Sequence, residues 1–151
     1  MAWMGGSKPT TGCIFCRAYS SDDDRAQLVL GRTDHAFLIL NAFPYTSGHL
    51  MVAFRRHLAA ITDASAEECG EMMGLVQRAV TALGAEYGPD GYNIGLNHGA
   101  AAGAGIADHL HMHVVPRWNG DSNFMHVVGE VRVLPEALDR TWERLRARVV
   151  G

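Results

Sequence analysis

Residues 109–115, with the sequence HLHMHVV, place histidines at alternate positions with apolar residues between them. Because successive side chains of a β-strand point to opposite faces, this spacing predicts a strand with His109, His111 and His113 along one face. The apolar residues between them would face a core. On the spacing alone, three interpretations of the histidine face stay open: chemistry on a phosphate, a metal site, or a solvated strand surface.

The rest of the chain predicts the elements around this strand. Four segments have the alternation or short apolar runs of β-strands, and they are residues 27–30, 35–41, 49–54 and 91–97. Ser65 and Glu68 have capping-box spacing, and apolar residues at helical spacing continue to about Gly88. Pro135 opens a last amphipathic helix. We therefore predict an α+β fold with a mainly antiparallel five-stranded sheet, one long helix and a C-terminal helix.

Length and composition indicate one globular domain. Residues 1–12 are rich in Gly, Ser, Pro and Thr and predict a flexible lead-in, followed by a single domain over 13–151. The 13 basic and 16 acidic side chains give a net charge of −3, without the basic stripe that tracks a phosphate backbone, so we expect no nucleic-acid partner. Without a signal-peptide pattern or a long apolar stretch, we expect a cytoplasmic protein that does not enter membranes.

Cys13 and Cys16 enclose the segment CIFC, which we expect to place two thiols on one side of a tight turn. That spacing is typical of half of a four-ligand zinc site. Two reduced cysteines that pack as small hydrophobes are the alternative. A redox role would need a thioredoxin-like strand-to-helix setting, which the residues before CIFC do not supply. Cys69 falls within the predicted long helix and is assigned to the core.

The segment HLHMHVV has the His-x-His-x-His-x-x signature of the histidine triad (HIT) superfamily, and the chain resembles that family from Cys13 to its last helix. The resemblance implies a HIT-like fold and a nucleotide substrate. It makes His111 the nucleophile that attacks phosphorus, with its ring oriented by the main-chain carbonyl of His109. His113 would then donate a hydrogen bond to the phosphate or to the leaving oxygen.

Two further segments carry the resemblance. LNAFPYTSGHLMV resembles the family segment in which an Asn contacts the ribose and a His contacts the phosphate region, which implies those roles for Asn41 and His49. YNIGLNHG resembles the strand that carries an amide toward the α-phosphate, which implies that role for Asn97. Phe37 and Phe43 flank Asn41, where they would either stack on adenine or belong to the core.

The resemblance also bears on the cysteines. Some bacterial family members complete a zinc site with a histidine after the third strand and with the first histidine of the triad. The matching residues are His57 and His109, which would join Cys13 and Cys16. Such a zinc ion is structural, because four protein ligands leave no open position for substrate. We expect no organic cofactor.

One position departs from the family pattern. Many relatives carry a polar side chain three residues before the triad, where this chain has Ile106. Backbone N–H groups around Gly103 and Gly105 are a candidate replacement, because successive amides form anion-binding concavities, and a plain connection is the alternative. Arg117 and Trp118 follow the triad, where they would bind a second nucleotide or a long phosphate chain, or would anchor the strand end.

The segments AGAGI, HLHMHVVPRW and GDSNF together resemble the bacterial diadenosine tetraphosphate phosphorylase branch. That resemblance implies an enzyme that forms a covalent nucleotidyl-histidine on the α-phosphate of a dinucleoside polyphosphate. Inorganic phosphate would then capture the nucleotidyl group, so that diadenosine tetraphosphate gives ADP and ATP. The alternatives are a purine nucleoside phosphoramidase or nucleotide hydrolase, a metalloenzyme that uses the triad as ligands, and a nucleotide-binding sensor without turnover.

The resemblance implies a homodimer or a higher homo-oligomer, because family members pair two domains so that their sheets become continuous. The long predicted helix offers an apolar surface for that contact, and its candidate residues are Met72, Met73, Val76 and Val80.

Overall fold

The computed structural model describes residues 12–122 and 136–150. Five strands form one sheet in the order β1-β2-β3-β5-β4, and every neighbouring pair is antiparallel. The strands are β1 (Val29–Arg32), β2 (Ala36–Leu40), β3 (Leu50–Phe54), β4 (Gly91–Leu96) and β5 (His111–Arg117). The helices are α1 (Ile14–Ser20), α2 (Ala66–Tyr87) and α3 (Leu138–Val150), with 3₁₀ turns at Ile61–Asp63 and Ala100–Ala102. The predicted α+β class and antiparallel sheet are confirmed.

The sheet is covered on both faces. Alternation along β2 sends Leu38 into the cluster under α2 and α3, and sends Phe37 and Ile39 into the cluster under α1. All five residues of β2 and all five of β3 are buried. Burial on both faces explains why these two strands are continuous apolar runs in the sequence.

Helix α2 begins with the predicted capping box. The Ser65 hydroxyl accepts a hydrogen bond from the Glu68 N–H at 3.1 Å, and the Glu68 carboxylate accepts one from the Ser65 N–H at 2.7 Å. A cap of this kind contributes about 1 kcal/mol. The helix ends at Gly88, whose φ of 54° lies in the left-handed region that glycine adopts without strain.

The contact surface predicted on α2 needs correction. Met72 and Val76 are buried in the core against the chain's own sheet, and Val80 packs partly on the same cluster. Their helical spacing therefore serves the intrachain core and leaves little for a second subunit. Of the four predicted residues, Met73 is the exposed one, at 48%.

Helix α1 is a second correction, because the sequence predicted a tight turn for CIFC. Cys13 is the N-cap of α1 and Cys16 lies in its first turn, so the helix itself brings both thiols to one side. The helix has seven residues and no side-chain cap. Isolated helices of that length are unstable in water, so α1 depends on its packing against the rest of the protein. Its own Phe15 side chain is fully buried.

Helix α3 packs on the sheet and α2 through Leu145 and Val149, in keeping with the predicted amphipathic helix. The Trp142 indole N–H donates to the Val29 carbonyl at 2.9 Å, which ties α3 to β1. Pro135 and residues 1–11, most of the predicted lead-in, lie outside the described residues. Within the described ranges, no helix is long and apolar enough to cross a membrane.

Candidate functional site

The last two histidines of the triad lie on β5 and face α1. In the antiparallel pairing of β5 with β3, His111 lies opposite Ala53 and His113 lies opposite Met51. Both partners belong to the cluster under α1. The two imidazole centroids are 5.0 Å apart. His109 precedes the first residue of β5 and is fully buried. The three histidine rings therefore do not form one row as predicted. His111 and His113 face α1, and His109 lies next to Cys13 and Cys16.

The His111 ring is held in one tautomer. Its Nδ1 lies 2.8 Å from the His109 carbonyl oxygen. Because a carbonyl can only accept, Nδ1 carries the proton and Nε2 carries a lone pair. Burial lowers the pKa of His111 below its ordinary value, against the opposing effect of that hydrogen bond. The ring is therefore neutral near pH 7, as a nitrogen nucleophile requires.

A second line of hydrogen bonds fixes His113. The Tyr45 N–H donates to His49 Nδ1 at 3.1 Å, so His49 carries its proton on Nε2. That Nε2–H donates to His113 Nδ1 at 2.9 Å. His113 must then carry its own proton on Nε2, the nitrogen remote from His49. Two neutral imidazoles in series therefore leave His113 as a hydrogen-bond donor.

The electrostatics of the site favour these neutral rings. Burial, followed by the repulsion of His113 and His111, lowers the pKa of His49 to about 3. Burial also lowers the pKa of His113, with a smaller contribution from His111. Protonating one ring in this cluster would place a charge in a poorly solvated site, which disfavours the cation.

A cavity of about 620 Å³ opens over the α1 face of the sheet, next to His111 and His113. Its volume lies within the range of small-molecule sites. Four other predicted substrate-binding residues line it, namely Asn41, Asn97, Gly103 and Gly105. Apolar side chains supply much of the rest of its wall, and they include Ile14, Leu28, Ile39, Phe43, Met51 and Ile106.

Asn97 and the glycine loop meet at the histidine end of this cavity. The Asn97 side-chain amide donates to the Gly103 carbonyl at 3.4 Å, a long contact that joins β4 to the loop. Gly103 has a φ of 88°, a conformation that L side chains rarely adopt. Ile106 also lines the cavity and packs against the cluster under α1. At the position where many relatives carry a polar side chain, Ile106 therefore gives the cavity an apolar wall.

Three predicted site residues lie elsewhere. His49 is fully buried and acts behind His113, rather than facing the cavity. Among the residues that the structure describes, those lining the cavity include neither Arg117 nor Trp118. The Arg117 guanidinium donates to both Asp121 oxygens, at 2.7 and 2.8 Å, and the Trp118 N–H donates to the same carboxylate at 3.1 Å. These contacts support the alternative in which Arg117 and Trp118 anchor the end of β5.

The four predicted metal ligands come together around the His109 ring, which packs against Phe15. The Cys13 thiol lies 3.2 Å from His109 Nδ1, and the Cys16 thiol lies 3.3 Å from His57 Nδ1 and 3.6 Å from His109 Nδ1. All four donor atoms lie within 4.8 Å of one another. A tetrahedral zinc ion with ordinary Zn–S and Zn–N bonds separates sulfur from nitrogen by about 3.5 Å, so the cluster fits such an ion.

The outer hydrogen bond of the His109 imidazole fits metal binding as well, whereas the contact of His57 with Asp108 is a longer one. His109 Nε2 lies 2.7 Å from the Phe54 carbonyl oxygen, so Nε2 carries the proton and the Nδ1 lone pair points at the thiols. His57 Nε2 lies 3.7 Å from an Asp108 carboxylate oxygen. Metal-bound histidines are commonly oriented by such an acceptor on the second nitrogen.

The sequence missed two features of the site. It did not place His49 between Tyr45 and His113, because that contact joins segments 64 residues apart. It left open whether Phe37 and Phe43 stack on a base or belong to the core. In the structure Phe37 is fully buried, whereas Phe43 is 82% exposed. The position of Phe37 at the second residue of a buried strand was the available signal.

The comparisons with known proteins agree with this geometry. Residues 23–120 match the HIT domain family. Over 118 residues the chain is 41% identical to a Mycobacterium tuberculosis protein named AP-4-A phosphorylase, a match that covers 78% of this chain and 60% of that protein. It is 27% identical over 137 residues to an adenosine 5'-monophosphoramidase of Schizosaccharomyces pombe, covering 91% and 98% of the two chains.

A solved structure gives the same result for the fold. A Zn-bound histidine triad family protein from Mycobacterium smegmatis is 29% identical, superposes with a TM-score of 0.73, and is matched over 92% of this chain and 94% of its own. The chain spans 60% of the length of the mycobacterial phosphorylase.

Proposed function

This chain belongs to the HIT domain family, and on that premise we propose that it transfers nucleotidyl groups from dinucleoside polyphosphates to inorganic phosphate. The observation that carries the proposal is the His111 ring, with Nδ1–H bound to the His109 carbonyl at 2.8 Å and its Nε2 lone pair free. His111 lines a cavity large enough for a nucleotide. A neutral imidazole held in this way is prepared to attack phosphorus.

In the proposed reaction, His111 Nε2 forms a bond to the α-phosphorus of diadenosine tetraphosphate, and the bond from that phosphorus to the bridging oxygen breaks. ATP leaves, and AMP stays on His111. The His113 Nε2–H stabilises the developing charge on the departing oxygen. A phosphate oxygen then attacks the same phosphorus, the N–P bond breaks, and ADP is released. The His109 carbonyl stabilises the positive His111 ring between the two steps.

The phosphate acceptor is the finer part of the proposal. The 41% identity to a protein named AP-4-A phosphorylase supports it. The Ala102 and Gly103 N–H groups already donate to the Gly99 and Ala100 carbonyls, at 3.1 and 3.0 Å, so a backbone anion site in this loop would use the segment around Gly105, which lines the cavity. Transfer to water, as in a nucleotide hydrolase or phosphoramidase, is the second candidate, supported by the phosphoramidase relative. A sensor without turnover is disfavoured, because binding alone needs no free nucleophile.

Product analysis tests the acceptor. We expect diadenosine tetraphosphate to be consumed only when inorganic phosphate is present, and to yield ADP and ATP, because phosphate is the group that attacks AMP-His111. Chromatography of the products, with and without phosphate, makes the measurement. AMP and ATP formed equally well without phosphate would show that water is the acceptor and would contradict the phosphorylase assignment.

We further propose that Cys13, Cys16, His57 and His109 bind a structural zinc ion. The donor distances, the oriented His109 imidazole and the Zn-bound relative support it. With four protein ligands the ion has no open position, so it orders the fold and performs no chemistry on substrate. His109 would connect the two sites: its ring binds the ion while its carbonyl orients His111. No organic cofactor enters the proposal.

The chain is also proposed to form a homodimer, on family resemblance. Strand β4 is an outer strand of the sheet, and Ile94 on it is 46% exposed. Met73 on α2 is similarly exposed. We expect sedimentation at micromolar concentration to give a dimer, and expect Ile94→Lys to shift it toward monomer by placing a charge on the outer strand. A wild-type monomer at that concentration would contradict the proposal.

A further inference from the structure

Two aromatic side chains at the cavity are exposed to solvent, although aromatic rings usually bury most of their surface. Phe43 is 82% exposed and Tyr45 is 55% exposed, and both line the cavity. They lie on the loop between β2 and β3, which directly follows Asn41. Exposed apolar surface beside a binding cavity indicates a contact with a ligand or partner.

The backbone that presents these rings is fixed by residues of the site. The Phe43 N–H donates to the Asn41 side-chain oxygen at 2.9 Å, and the Tyr45 N–H donates to His49 Nδ1 at 3.1 Å. Pro44, between them, is buried. The two rings are thus attached to a loop with fixed main-chain hydrogen bonds, which lowers the entropy cost of binding a ligand there.

The position of the loop indicates which part of a substrate it meets. In sheet order the cavity runs from β5, with His111 and His113, past Asn41 at the end of β2, to Leu28 before β1. Strands lie about 4.8 Å apart, so this distance is roughly 14 Å. The transferred nucleotide, with its phosphate at His111 and its ribose at Asn41, fills that length. In the proposed reaction the leaving oxygen accepts a hydrogen bond from His113, so the leaving part of the substrate begins on the His113 side.

Tyr45 lies on that side. Its ring is nearly parallel to the His113 ring, with an interplanar angle of 22° and centroids 6.3 Å apart. His113 is the proposed donor to the leaving oxygen, so a chain that begins at that oxygen passes Tyr45 first. Building on the function proposed above, we propose that Phe43 and Tyr45 are a stacking surface for the second nucleobase, the one that departs with the polyphosphate.

Stacking on an aromatic face suits this role, because every nucleobase has a π face and the contact is tolerant of base identity. The departing nucleotide must also be released, so a surface contact is better suited to it than an enclosed pocket. Tyr45 contacts His49 and His113, so changes there would disturb the histidines. The Phe43 side chain is 82% exposed, so its replacement disturbs the histidines least, and Phe43 is the position to test.

The test compares two substrates that share the transferred nucleotide and the phosphate chain. Diadenosine tetraphosphate has the second base, and adenosine 5'-tetraphosphate lacks it. We expect Phe43→Ala to lower kcat/KM for diadenosine tetraphosphate about tenfold, consistent with the loss of one base–aromatic stack, and to leave adenosine 5'-tetraphosphate unchanged. Phe43→Leu, apolar but not aromatic, should match the alanine variant, and Phe43→Trp should retain wild-type selectivity.

An equal loss for both substrates, or no loss for either, would overturn the stacking role. Dissociation constants of the two nucleotides, measured by calorimetry in a His111→Ala background with and without Phe43→Ala, give a readout independent of turnover. If the wild type turns over neither substrate, the proposed function fails, yet a selective loss of diadenosine tetraphosphate binding would still support the surface. If neither nucleotide binds, both proposals fail. Unchanged melting temperatures exclude a general folding effect.

Discussion

Replacing His111 by alanine is expected to lower kcat for diadenosine tetraphosphate by about 10³-fold or more, with the substrate dissociation constant changed only a few-fold. The imidazole supplies the covalent step, and loss of an enzymatic nucleophile removes the interaction made in the transition state while most ground-state contacts remain. Steady-state kinetics, together with calorimetric binding to the variant, measure both quantities. We also expect wild-type protein quenched during turnover to carry an added AMP by mass spectrometry, and the variant to carry none.

The control for that experiment is His35→Ala. His35 is adjacent to β2, on the turn after β1, and its Nε2 lies 3.6 Å from a Glu67 carboxylate oxygen, so it contacts α2 rather than the cavity. Its removal is expected to leave kcat within about twofold, as for most surface changes. Activity retained in His111→Ala, or an AMP adduct on another residue, would contradict His111 as the nucleophile.

The second large effect concerns the cysteines. Cys16→Ser is expected to abolish stoichiometric zinc and to lower the melting temperature by about 10 °C or more, because loss of a structural metal removes a large share of the stability of a small domain. Metal analysis of protein purified without chelator, and thermal unfolding, make the measurements. Asp108→Asn should change zinc binding little, because the exposed Asp108 carboxylate lies 3.7 Å from His57 Nε2, too far for a hydrogen bond.

Cys69→Ser provides the matched control, because Cys69 lies on α2 and packs against the core under that helix, outside the metal cluster. It should keep one zinc ion per chain. Wild-type protein with no zinc in any preparation would contradict the metal proposal and favour two thiols that simply share hydrogen bonds with His109 and His57. If zinc instead took part in catalysis, its removal would stop turnover before any change in folding.

How much the sequence could predict depended on the range of the interactions. The alternation in HLHMHVV predicted which face His111 and His113 occupy, and the capping box predicted the start of α2, because both patterns are local. The position of His49 behind His113 was not predictable, since His49 precedes β3 and His113 lies on β5, 64 residues away. For Arg117 a local signal existed: Asp121 is four residues later and forms its ion pair.

The cluster of two cysteines and two histidines was only partly predictable from local sequence. CIFC predicted two converging thiols, but the two histidines that complete the set are 41 and 93 to 96 residues away from them. Their assignment rested on family resemblance, and the donor distances now support it from geometry. Helix α1 was missed because a seven-residue segment has little helical propensity of its own, and its structure depends on burying Phe15.

The line of hydrogen bonds that runs from Tyr45 through His49 to His113 starts at a group inside the protein, and the nature of that group has a chemical consequence. It begins at a backbone amide, which does not release its proton at ordinary pH, so no proton reaches His113 from the protein interior. The line is closed at that end. His113 therefore keeps its Nε2 proton and donates it only as a hydrogen bond, because a neutral imidazole that gave the proton up would become an anion. Any proton that the departing nucleotide takes up must enter through the cavity.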